Sequence, residues 1–109
     1  MTRDQYVRQV RRLIAEGERL AERPSLEAMR TWIALSDELL RSAWGSMDRY
    51  HLSWLMVGRP TDAVRGRAMT AEEEADYVRD VAAAKTAALR MSLKAVEVDR
   101  LPFVGETPA

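Results

Sequence analysis

Residues 70–99 read TAEEEADYVRDVAAAKTAALRMSLKAVEVD. The opening Thr70-Ala71-Glu72-Glu73 is a capping box. A Thr hydroxyl at the N-cap and a Glu carboxylate three residues on each satisfy the other's free backbone N–H. Glu72, Glu73, Glu74 and Asp76 fall where the helix dipole favours negative charge. The apolar line beyond them is Tyr77, Val81, Ala84, Ala88, Met91, Ala95 and Val98, in steps that alternate four and three, a heptad repeat. Small residues fill its middle and permit close helix approach, and Leu89, Leu93 and Val96 form a second apolar line. The spacing predicts one helix reaching Asp99, about 45 Å long at 1.5 Å per residue, stopped by Leu101-Pro102. No other segment promises so long a helix, and its far end is expected to overhang its neighbours.

Three shorter helices are expected to pack around it. From Thr2 to about Arg23, Tyr6, Val10, Leu13, Gly17 and Leu20 repeat at helix-bundle spacing. Gly17 costs a helix interior about 1 kcal/mol relative to Ala, so its place on the seam predicts close approach of another helix. Arg23-Pro24-Ser25 breaks the chain, since Pro disfavours helix at the residue before it and Ser25 can cap the next helix. That second helix is expected from Leu26 to Trp44, with Met29, Trp32, Ile33, Leu40, Ala43 and Trp44 on one broad face. Gly45 reads as a stop and Ser46 as the next N-cap, opening a short third helix from Met47 to Val57. Residues 58–69 form a connection, with a single turn expected around Asp62–Arg65. The fold class is therefore all-α: a four-helix bundle, largely antiparallel, with a short third and a long fourth helix. One domain spans residues 1–100, and the tail 101–109 is mobile unless Phe103 and Val104 dock.

Composition supports this and excludes several functions. The chain has 109 residues, which suggests one domain, and only five Gly and four Pro interrupt it. It has no Cys, so disulfides, Cys-based zinc sites and thiol catalysis are excluded. A single His leaves no closed zinc site. No signal peptide is read at the N-terminus, and no apolar run approaches the roughly 20 residues of a membrane span, so a cytoplasmic protein without membrane attachment is expected. Net charge is zero, yet 15 Arg stand against 2 Lys. The preferred explanation is codon usage in a GC-rich, bacterial genome.

Chemistry is densest in residues 44–54, WGSMDRYHLSW. His51 could act as a general base, a metal ligand or a haem ligand, with Asp48 on the same helical face. No nucleophile or second ligand can be assigned to it, so a packed corner is the preferred reading and no cofactor is expected. The acidic cluster Glu72, Glu73, Glu74, Asp76 and Asp80 lacks the Glu-x-x-His pairs of a di-metal bundle and reads as helix-start charge. A helix-turn-helix is disfavoured, because Arg41 takes the small-residue position and the would-be reading helix is mostly apolar. No phosphate loop or Ser nucleophile elbow occurs.

The expected function is a non-enzymatic interaction module. It would be a homodimer or a small subunit of a bacterial assembly, its partner being itself or another protein. The expected interface is Gly17, Tyr77, Val81, Ala84, Ala88, Met91, Ala95 and Val98. Two alternatives stand beside it: nucleic-acid binding through Arg8, Arg11, Arg12, Arg65 and Arg67, and a small-molecule pocket lined by Trp32, Trp44, Tyr50, His51 and Trp54.

Overall fold

The computed structural model describes residues 1–58 and 68–108. Among the described residues the only regular elements are helices, α1 at Arg3–Glu22, α2 at Leu26–Trp44, α3 at Arg49–Met56 and α4 at Ala71–Glu97. No helix among the described residues is long and apolar enough to cross a membrane. The expected turn around Asp62–Arg65 lies outside the described residues.

The caps fix the helix boundaries. Thr70 and Glu73 close the capping box, with the Thr70 N–H donating to Glu73 Oε1 at 2.9 Å and the Glu73 N–H to Thr70 Oγ1 at 3.1 Å. A second capping box, between Thr2 and Gln5, opens α1. Ser25 caps α2, and Gly45 ends it at a φ of 95°. The third helix differs from expectation. Its N-cap is Asp48, whose carboxylate accepts from the Tyr50 N–H, and the helix begins at Arg49. Met47 takes a left-handed φ of 66°, so the chain needs a further turn after Gly45 before it can enter a helix.

Packing is organised by the antiparallel pair α1 and α4. Arg3 lies at Val96, Tyr6 at Ser92 and Gly17 at Thr86. A Cβ on Gly17 would stand 2.0 Å from Thr86 Oγ1 and 2.8 Å from the Trp32 ring, so the close approach is real. α2 packs on α1, and α3 fills the space between α2 and α4. The buried line of α4 is Val78, Ala82, Lys85, Leu89, Ser92 and Val96, with Val81, Ala88 and Ala95 beside it. This line also steps by four and three, but it is rotated from the expected seam. Its polar members Lys85 and Ser92 hide it in the sequence, yet both are hydrogen-bonded inside. Met91 is 59% exposed and Val98 65%.

The far end of α4 does not overhang. Arg3 Nη1 donates to Val96 O at 2.8 Å and Nη2 to Leu101 O at 3.1 Å, satisfying a carbonyl that the helix end leaves without an intrahelical donor. The tail packs back: Phe103 is buried, while Val104 is exposed. Three helices are joined by one buried chain of hydrogen bonds. The Trp44 indole N–H donates to Tyr6 Oη at 2.8 Å, Tyr6 donates to Ser92 Oγ at 2.9 Å, and Ser92 donates to Leu89 O at 2.8 Å.

Gly17 and Tyr6 give this packing two measurable consequences. Gly17→Ala gains helix propensity but overpacks the α1–α4 contact, so a net loss of about 1–2 kcal/mol is expected. Denaturant unfolding measures it, and Thr86→Ala in the same chain should recover part of the loss. Tyr6→Phe leaves the buried Trp44 N–H without its acceptor and should lose about 1–3 kcal/mol. Burial also raises the Tyr6 pKa above its ordinary value of 10.0. The folded state therefore favours the neutral phenol, and its contribution is complete below pH 10.0 and lost as pH rises through the folded value. Alkaline titration of stability should show this component in the wild type and not in Tyr6→Phe.

Candidate functional site

Two polar groups meet at the corner between α2 and α3. Asp37 lies on α2 and His51 in the first turn of α3. The His51 side chain is buried, and Nε2 lies 2.7 Å from Asp37 Oδ1. The Met47 N–H donates to His51 Nδ1 at 3.0 Å. That donor assigns the tautomer: Nδ1 accepts, so Nε2 carries the proton and donates it to Asp37. The other carboxylate oxygen of Asp37 meets Arg41 Nε at 3.1 Å. The imidazole stacks on Trp54, with ring centroids 6.3 Å apart.

A carboxylate holding one imidazole nitrogen is the orienting half of a nucleophile–base system. The other nitrogen would then have to face a nucleophile, and here it faces the Met47 N–H. The pair closes the turn that leads into α3. Asp48, the neighbour considered from sequence, is instead the cap of α3. The true partner, Asp37, is 14 residues upstream. Asp37 flanks the apolar face of α2 one turn before Arg41, but no spacing in the sequence ties it to His51.

The five residues of the expected aromatic pocket do not line one cavity. Trp44 packs against Tyr50 with the rings tilted and centroids 4.4 Å apart, and touches Phe103 and Tyr6, at centroid separations of 5.7 and 6.1 Å. Trp54 and His51 form a second group with Lys85, whose Nζ sits 4.1 Å from the Trp54 ring centroid and donates to Trp54 O. Trp32 stands apart and donates its indole N–H to Leu13 O at 2.8 Å. A cleft of about 320 Å³ does occur, but between α1 and α2, lined by Gln9, Arg12, Leu13, Leu35, Glu38 and Leu39 among others.

Three of the expected basic residues lie at spacings of three and four on α1, as neighbours on one side of the helix. Arg8, Arg11 and Arg12 are exposed on α1. Arg11 is paired with Glu97, and Arg12 borders the cleft. Arg65 and Arg67 lie outside the described residues. Arg49, at the start of α3, lies over the Tyr50 ring at 4.8 Å. Among the described residues no group of His, Asp or Glu is arranged to hold a metal ion.

The expected interface residues divide into two sets. Gly17, Val81, Ala88 and Ala95 are buried within the single chain. Tyr77 and Ala84 are half-buried, and Met91 and Val98 are exposed. Comparison with known protein families, characterised proteins and solved structures finds no match.

His51→Leu would strip the acceptor from the Met47 N–H and the donor from Asp37. A loss of about 1–3 kcal/mol in urea unfolding is expected. Asp37→Asn keeps an acceptor oxygen for the imidazole and should lose clearly less.

Proposed function

We propose that the protein is a non-enzymatic helical interaction module that works by pairing of two copies through the outer flank of α4. The observation that supports this is the line Tyr77, Ala84, Met91 and Val98. It repeats every seventh residue along one side of the helix and ends in two exposed apolar side chains. One apolar position per heptad on the outer flank gives a second helix a narrow line to pack against, half of a full coiled-coil seam.

The second copy fits because the stripe is self-complementary. In an antiparallel pairing centred between Ala87 and Ala88, Tyr77 meets Val98 of the second copy and Ala84 meets its Met91. The same register brings Asp80 to within one position of Lys94 of the second copy, so opposite charges flank the contact at both ends. Two-fold interfaces use one patch against itself in this way. The small residues Ala83, Ala84 and Ala87 let the two helices approach closely. A single helix pair lies toward the low end of the roughly 1,200–2,000 Å² buried in stable complexes, so association is weak and depends on concentration. The exposed Arg8, Arg11 and Arg12 share one side of α1, but Arg11 is paired with Glu97 and the chain's net charge is zero, which favours pairing of copies over nucleic-acid binding. The module is assigned to the cytoplasm as part of the same proposal.

Analytical ultracentrifugation tests it. The wild type should show a concentration-dependent dimer. Met91→Glu should be monomeric while keeping its helical circular dichroism. Ala88→Glu, which buries a charge inside the bundle, should lose the fold instead. A wild type that stays monomeric at millimolar concentration would falsify the proposal, as would a Met91→Glu variant that dimerises undiminished.

A further inference from the structure

The tail binds the bundle as a peptide binds a receptor. It leaves α4 through Arg100, which has a left-handed φ of 54°, and carries no regular secondary structure. Phe103 enters an aromatic nest, its ring centroid 5.0 Å from that of Tyr6 and 5.7 Å from that of Trp44. Arg3 covers it, with Cζ 5.9 Å from the ring centroid. Val104 points outward and is 84% exposed. At Gly105 the backbone presses onto the end of α2. Its N–H donates to Ala43 O at 2.8 Å, and its O accepts from the Met1 amine at 3.0 Å. The Thr107 N–H donates to Met1 O at 2.7 Å. Glu106 meets Arg3 at 2.9 Å.

Each contact selects one feature of the segment. The nest selects an aromatic ring, and the exposed position tolerates any side chain. A Cβ at Gly105 would lie 2.2 Å from Ser42 O and 3.1 Å from Ala43 Cα, both backbone atoms of α2, so only glycine fits. Ala43 O is among the last carbonyls of α2, which have no intrahelical donor, and it calls for a backbone N–H from outside. Arg3 selects a carboxylate at the next position. Backbone bonds that fix the segment, with side-chain pockets that choose its sequence, are the general logic of extended-peptide recognition.

We infer that the surface formed by Arg3, Tyr6, Ala43 and Trp44 is a recognition site for an extended Phe-x-Gly-acidic peptide, which the chain's own tail occupies as an intramolecular ligand. A partner protein presenting the same segment binds by displacing the tail. Because the tail is tethered, it competes at a high effective concentration, and it holds the site closed to weak or mismatched peptides.

The test uses the 109-residue chain with Met1 as its first residue. Phe103→Ala empties the nest without shortening the protein. A synthetic peptide of sequence LPFVGETPA is titrated into it while the Trp44 indole N–H signal is followed by NMR. The expected result is a saturable shift of Trp44 with no matching change at Trp54. Peptides with alanine at the Phe or the Gly position should bind at least about tenfold more weakly, and lysine at the Glu position should weaken binding too. If Phe103→Ala loses its helical signal, Gly105→Ala serves instead, since its Cβ expels the tail from α2. A folded variant that gives no saturable shift, or that binds the alanine peptides equally well, overturns the proposal. Loss of the helical fold in both variants overturns it as well, because the tail would then be core and not ligand.

Discussion

Tyr6 Oη accepts a hydrogen bond from the Trp44 indole N–H and donates one to Ser92 Oγ, so a single oxygen atom joins α1, α2 and α4. The Tyr6 ring also forms one wall of the nest that holds Phe103. A buried polar chain of this kind is demanding. Each member must find its partner, or an unsatisfied group is stranded in an apolar interior. Here each link is directional, from indole to phenol to serine to the Leu89 carbonyl, and no rotation of one helix against another preserves it. The Gly17–Thr86 approach then sets the separation of the same two helices further along. One contact fixes the register of α1 and α4, and the other fixes how close they lie.

These contacts explain which parts of the fold are legible in the sequence. Capping chemistry is local, so Thr70-x-x-Glu73, Ser25 and Gly45 announce the helix ends without tertiary information. The Thr2–Gln5 box is equally local and has the same pattern with Gln in place of Glu. The burial of α4 is not local. Two lines along that helix repeat with heptad spacing, and periodicity alone cannot choose between them. Lys85 and Ser92 make the buried line look like a surface, because their satisfaction depends on Trp54 O and Tyr6, which lie far away in the chain. Ser46 and Asp48 pose a similar problem, since both are good N-caps. The choice falls to Asp48 because Met47 turns left-handed and His51 holds its N–H.

At the α2–α3 corner, distant contacts also separate chemistry from structure. An Asp–His pair resembles half of a catalytic site when only its two members are considered. The third contact decides its role. With the Met47 N–H on Nδ1, the imidazole is a bridge between a carboxylate on α2 and a backbone amide in the turn, and the stacking of Trp54 fixes its plane. His51 is visible in the sequence as an unusual residue. Its partner is not, because helix spacing points to Asp48, whereas the turn brings Asp37 across.

With His51, Lys85 and Ser92 held by hydrogen bonds inside the bundle, the two surfaces we propose for partners are the outer flank of α4 and the ground that the tail covers. These two surfaces meet at Arg3. Its guanidinium holds the Val96 carbonyl near the end of α4 and also the Glu106 carboxylate of the tail. A helix end whose last carbonyls lose their external donors frays first. Val98, the final apolar residue of the α4 line, lies just beyond the last turn. A ligand in the tail site that keeps Arg3 in place keeps this end of the line ordered, and one without the carboxylate loosens it. On these two proposals, occupancy of the one surface is linked to the length of the other, and linkage of this kind acts equally in both directions.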